Sequence, residues 1–171
     1  MIPASRNQAI VNALASQAYA VGMCAKWTRE RYGLPALGDF DRDGDADAVD
    51  MWKACALKHA GDRNPPAGVP VFWSGGSRGH GHAAISLGDG FIRTIDRPTS
   101  GKVGTVPLGE IERAWGLKYL GWTADLYGHE IPDHDAQRAA LRKRIDHKRG
   151  RRLDLKRQLA RLRSALSKVP R

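Results

Sequence analysis

Two residues of this chain have the type and setting for nucleophilic chemistry, Cys24 and His82. Cys24 opens the run CAKWTRERY, which reads as a helix closed by Gly33. A thiol in a first helical turn lies beside unpaired backbone N–H groups and the positive end of the helix dipole, and both favour the thiolate. His82 begins the β-type run HAAISL, and an imidazole at a strand start can take the thiol's proton. Such a pair performs acyl transfer through a thioester. His80, between Gly79 and Gly81, is a second imidazole that could act as base. Cys55 falls on a helix face with Trp52 and fits a buried apolar position.

The flanking segments supply the frame. Ile10, Leu14, Ala18 and Val21 recur at three-to-four spacing, which predicts an amphipathic helix from Asn7 to Val21 ended by Gly22. A third helix is expected from Ala48 through AVDMWKACALKHAG, with Trp52, Cys55 and His59 on one face. DRNPPAGVP is a loop by its proline and glycine. Strands follow at 70–73, 82–87, 91–96, 103–106 and 117–122, with a short helix over 108–115. Gly88-Asp89-Gly90 is a compact hairpin turn. Helices first and an antiparallel sheet afterwards predict an α+β domain.

The blocks GMCAKWTRERYG (22–33) and GHGHAAISLGDGFIRTID (79–96) resemble the Cys-helix and His-hairpin blocks of the CHAP and NlpC-type papain-like peptidoglycan hydrolases. The continuation VGTVPLGEIERAWGLKYLGW (103–122) is similar to the form found in actinobacterial phage endolysins and wall-lytic phage proteins. The resemblance covers about residues 8–130 and implies a papain-like fold. It implies Cys24 as nucleophile, His82 as base and a polar third residue on the next strand, for which Asp96 is the candidate. Tyr19 or Gln17 would take the place of the family's oxyanion-assisting aromatic or Gln. The implied reaction is cleavage of a peptidoglycan amide bond, by an amidase or endopeptidase. Rival readings are a zinc endopeptidase using His80-x-His82, and a catalytically inert virion-assembly or nucleic-acid-binding protein.

Residues 39–50, DFDRDGDADAVD, match the spacing of a calcium loop. Asp39, Asp41, Asp43, Asp45, Asp47 and Asp50 stand at positions 1, 3, 5, 7, 9 and 12, and Gly44 at position 6 permits the sharp turn. Asp50 replaces the usual Glu. One calcium ion is therefore expected here.

Composition divides the chain. All five tryptophans precede residue 123, so the core is expected within residues 1–130. Residues 1–137 hold 14 Lys and Arg against 16 Asp and Glu, whereas residues 138–171 hold 14 against 2. The net charge of +10 thus belongs to an appendage, joined through a linker at 131–137. Leu141, Ile145, Leu155, Leu159, Leu162, Leu166 and Val169 fall on one heptad frame, interrupted by Lys148 and Arg152, with a kink expected at Gly150. Such a helix could bind an anionic wall polymer, a membrane surface or nucleic acid, or associate with itself. Two cysteines are too few for a disulfide-dependent scaffold, and neither a signal peptide nor a membrane span is legible. A phage-encoded protein made in the host cytoplasm, reaching the wall after holin release or in the virion, is the expected setting.

Overall fold

The computed structural model describes residues 2–35, 38, 39, 42, 44 and 46–166. It divides into two units, Met1–Pro132 and Asp133–Arg171. The first is α+β. Helices α1 (Arg6–Ala15), α2 (Cys24–Arg31) and α3 (Ala48–Ala54) precede an antiparallel sheet of β1 (Lys58–Ala60), β2 (Pro70–Ser74), β3 (His82–Gly88), β4 (Phe91–Ile95), β5 (Val103–Pro107) and β6 (Lys118–Thr123). Helix α4 (Glu110–Trp115) lies between β5 and β6, and a small hairpin, β7 (Asp125–Leu126) with β8 (His129–Glu130), closes the unit. The six strands are ordered β1-β6-β2-β3-β4-β5.

Strand β3 is central and buried, and its period of two sends alternate side chains into two cores. Ala83 and Ile85 join Phe72, Ile95, Trp27 and Cys24 beneath the N-terminal helices. Ala84 joins Val71, Trp73, Ile92 and Ile111 on the opposite face. The alanines keep β3 thin, so a helix can approach closely from either side.

Two helical expectations change. The first helix ends at Ala15, six residues before Val21, because the chain is drawn into the sheet: Val103 N–H donates to Gln17 O at 3.0 Å. The Arg93 guanidinium donates to Ala13 O at 3.3 Å and Ser16 O at 2.7 Å, satisfying helix-end carbonyls. The third helix stops at Ala54, and Cys55, expected inside it, is the C-cap. Here buried Asp125 takes over: its carboxylate accepts from Ala56 N (2.8 Å), Leu57 N (2.7 Å) and Gly128 N (2.9 Å). Residues 58–60 then pair with β6, and His59 stacks flat on Trp122 with centroids 3.6 Å apart.

In the second unit, α5 runs from His134 to Leu166 and continues through Gly150. The expected linker at 131–137 is shorter, since Ile131 is buried in the first core and Asp133 caps α5 by accepting from Ala136 N at 2.9 Å. Val169 lies outside the described residues. Among the described residues, no helix is long and apolar enough to cross a membrane.

Asp125→Ala would leave three amide N–H groups without their acceptor, two on the chain leaving α3 and one in the turn of the β7–β8 hairpin. The expected cost is about 3 kcal/mol of stability, read from urea unfolding.

Candidate active site

Helix α2 begins at Cys24, as its sequence predicts, and its N-cap Met23 makes no side-chain capping bond. The first-turn amides therefore have no competing side-chain acceptor. The thiol is held between two backbone amides, those of Ala25 and Ala83. Burial pushes its pKa up to about 11, with Asp47 and Asp96 adding to the rise and the two amides opposing it. The Cys24 thiol is thus neutral at rest, and any attack by it would require a base that removes its proton.

A cleft of about 310 Å³ opens over this helix end, lined by Gly22, Cys24, Lys26, Asp47, Arg78 and His80. His80 reaches it from the loop before β3, where its carbonyl accepts from Val49 N at 3.3 Å. Asp47 is the N-cap of α3: its Oδ1 accepts from Val49 N at 2.7 Å and Asp50 N at 3.0 Å. Its other oxygen, Oδ2, is buried and has no hydrogen-bond partner among the described residues. Burial raises the Asp47 pKa, the Asp50 charge adds to the rise, and the capping amides and His80 oppose it. A thiol, an imidazole and a carboxylate thus meet around one cleft.

His82 has different surroundings. Its ring lies against Trp115 (centroids 4.9 Å) and Trp73 (5.9 Å), on the face of β3 opposite Cys24. Nε2 is 2.6 Å from Thr94 Oγ1, whose own proton goes to Ile95 O at 3.3 Å. That pattern is satisfied when Nε2 carries the ring proton, which leaves Nδ1 as the basic nitrogen. The thiol reaches the Ala83 amide, one residue along β3, and makes no hydrogen bond to the His82 ring. Gly81 separates the two imidazoles. Its φ of +67° turns the chain between them, and a Cβ there would sit 2.1 Å from Trp73 O. The His80-x-His82 pair therefore does not converge as a zinc-binding pair would.

Asp96 also differs from expectation. Rather than orienting His82, its Oδ2 accepts from Gly22 N at 2.9 Å and its Oδ1 from Gly101 N at 2.7 Å. It clamps the turn that presents Cys24, while Thr94, two residues earlier, is the side chain bonded to the imidazole. Tyr19 and Gln17 are likewise engaged elsewhere. The Tyr19 hydroxyl donates to Glu30 at 2.6 Å and is pushed up to about 12, chiefly by burial, and Gln17 donates to Leu14 O at 3.0 Å. Buried Cys55 donates to Met51 O at 3.1 Å, away from the cleft.

Of the six aspartates expected around calcium, Asp41, Asp43 and Asp45 lie outside the described residues. Asp39 turns the loop by accepting from the amides of Arg42 and Gly44. Asp47 and Asp50 form a reciprocal capping box at the start of α3. Among the described residues, no three His, Cys, Asp or Glu side chains converge as a metal cage. Asp47 was expected only as a calcium ligand, and His80 only as the alternative base; both line the cleft. The signal for Asp47 was its capping position before AVDMW, which places Oδ1 on the α3 backbone.

No family model, curated protein or solved structure matches the chain.

Burial holds the His82 pKa down from 6.5 to about 4, with Asp96 acting in the other direction. Between those pH values the unfolded chain binds a proton that folded His82 refuses, so stability falls as pH falls through that window. Urea unfolding at neutral pH and near pH 4 is expected to show this loss, and His82→Gln to remove its part of it.

Proposed function

We propose that this protein is a cysteine-dependent peptidoglycan hydrolase, an endolysin-like amidase or endopeptidase, with Cys24 as nucleophile. The observation that carries this reading is the arrangement of the cleft, where the Cys24 thiol at an uncapped helix N-terminus shares its walls with His80 and Asp47. In the reaction, the thiol proton passes to an imidazole as sulfur attacks the carbonyl carbon. First-turn amides stabilise the oxyanion, and the imidazolium protonates the departing amine. Water then adds to the thioester, giving its proton to the imidazole, and the released thiol recovers a proton. The choice of peptidoglycan rests on the resemblance of residues 8–130 to CHAP and NlpC-type hydrolases.

His80 is the base that the cleft geometry favours, with Asp47 Oδ2 the carboxylate able to hold its ring. A second reading takes His82 as base. It rests on the resemblance and on the Thr94 bond, which leaves Nδ1 basic. Cys24→Ala is expected to abolish lysis of purified cell walls at unchanged fold content, while Cys55→Ala keeps most of it. His80→Ala is expected to lower turnover by about a hundredfold or more with little change in melting temperature. Near-wild-type turnover in His80→Ala, together with loss in both His82→Asn and folded Thr94→Val, would move the base to His82. Full lysis by folded Cys24→Ala, or by alkylated protein, would overturn the cysteine mechanism, and absence of lysis by the folded parent would leave the inert virion-assembly or nucleic-acid-binding alternative.

We also propose that residues 39–50 bind one calcium ion. The support is the ligand spacing and the start of α3 at Ala48, so that Asp47 belongs at once to the loop and to the cleft. An ion held there would tie Asp47, and with it one wall of the cleft, to the start of α3. Calcium is expected to raise the melting temperature by mass action and a chelator to lower both it and lysis. Asp39→Ala with Asp43→Ala should erase the response, and equal melting in calcium and chelator would exclude the site.

A further inference from the structure

Helix α5 has two properties that a ligand must satisfy together. Every side chain from His134 to Ser164 is exposed, including Leu141, Ile145, Leu155, Leu159 and Leu162, which are 42–68% accessible. Those five share one side of the helix, two of them before and three after the stretch 146–154, in which Lys148 and Arg152 take the same side. The same helix belongs to the segment with 14 Lys and Arg against 2 acidic residues.

Pairing with a second copy would bury the leucines, but Lys148 and Arg152 stand in the middle of the stripe, and two helices of this charge would repel. A nucleic acid would neutralise the cations yet leave the apolar stripe in water. An anionic bilayer meets both demands. The leucines enter the acyl boundary, the flanking cations meet the headgroups, and Lys148 and Arg152 lie along the apolar surface with their charged ends turned outward. Acidic headgroups add attraction for each Lys or Arg near the surface.

We propose that α5 is an interfacial helix that docks this chain, lying flat, on an anionic lipid surface. This assignment does not depend on the chemistry of the cleft. The full chain is sedimented with vesicles of phosphatidylcholine containing roughly one-third phosphatidylglycerol, and with phosphatidylcholine alone. Binding to the anionic vesicles is expected to be at least about tenfold tighter than to the neutral ones and to weaken with added salt.

The decisive variant is Leu155→Gln with Leu159→Gln and Leu162→Gln, which keeps every charge and replaces leucine by another good helix former. It is expected to lose about tenfold or more in affinity for anionic vesicles while binding duplex DNA within about twofold of the parent. Circular dichroism checks that the helix persists. Vesicle binding unchanged in this variant would overturn the proposal, because charge alone would then suffice. Binding to DNA without binding to anionic vesicles would overturn it in favour of a nucleic-acid partner. A leucine-dependent dimer in sedimentation velocity, with no vesicle binding, would overturn it in favour of a second copy.

Discussion

The burial of β3 on both faces is the constraint on which the first unit depends. A strand with helices on one side and α4 with its aromatic neighbours on the other has no solvent face, so its alternation decides which chemistry goes where. Ala83 presents its amide to the Cys24 thiol because its small side chain lets α2 come close. His82, one residue back, is sent the other way into the slot between Trp73 and Trp115. A side chain larger than alanine at 83 or 84 would press on one of the two layers.

The turn around Cys24 is held from outside its own segment. Asp96 ends β4 with φ +59° and spends both carboxylate oxygens on the amides of Gly22 and Gly101. Asp47 reaches the same region from α3, and Asp125 performs the comparable task where the chain leaves that helix. Asp96 and Asp125 each satisfy amide N–H groups of a distant segment, whereas Asp47 caps its own helix. Bonds to a carboxylate are worth more than neutral ones.

The electrostatics of the cleft follow from that packing. Burial keeps the Cys24 thiol protonated, and the neighbouring aspartates make ionisation harder still. Lys26 and Arg78 on the cleft lining supply positive charge that an anionic substrate group could meet as it enters. A neutral thiol that shares a cleft with an imidazole differs from a preformed thiolate–imidazolium pair, because its proton has still to be removed before the sulfur can act.

Much of this was legible in residue order. Runs such as PVFW, HAAISL and FIRTI declare strands by apolar and β-branched content, and GDG between the second and third declares their hairpin. Gly22 and Gly33 bracket the Cys24 helix, and the charge asymmetry separates α5 from the rest. Strand β1 was not legible, since Lys58-His59-Ala60 has no strand pattern and is extended only because β6 offers partners and Trp122 offers its ring. The partners of the catalytic candidates were not legible either. The sequence pointed to Asp96 for the imidazole, where the fold supplies Thr94, and His80 and His82 share the parity of a strand. The positive φ at Gly81, forced by the close approach of Trp73 O, turns one imidazole to the cleft and the other beneath two tryptophans. Local propensity and pattern act over a few residues and decide elements, whereas hydrogen bonds between segments some 70 residues apart, such as Asp96 to Gly22, exist only once the chain has packed.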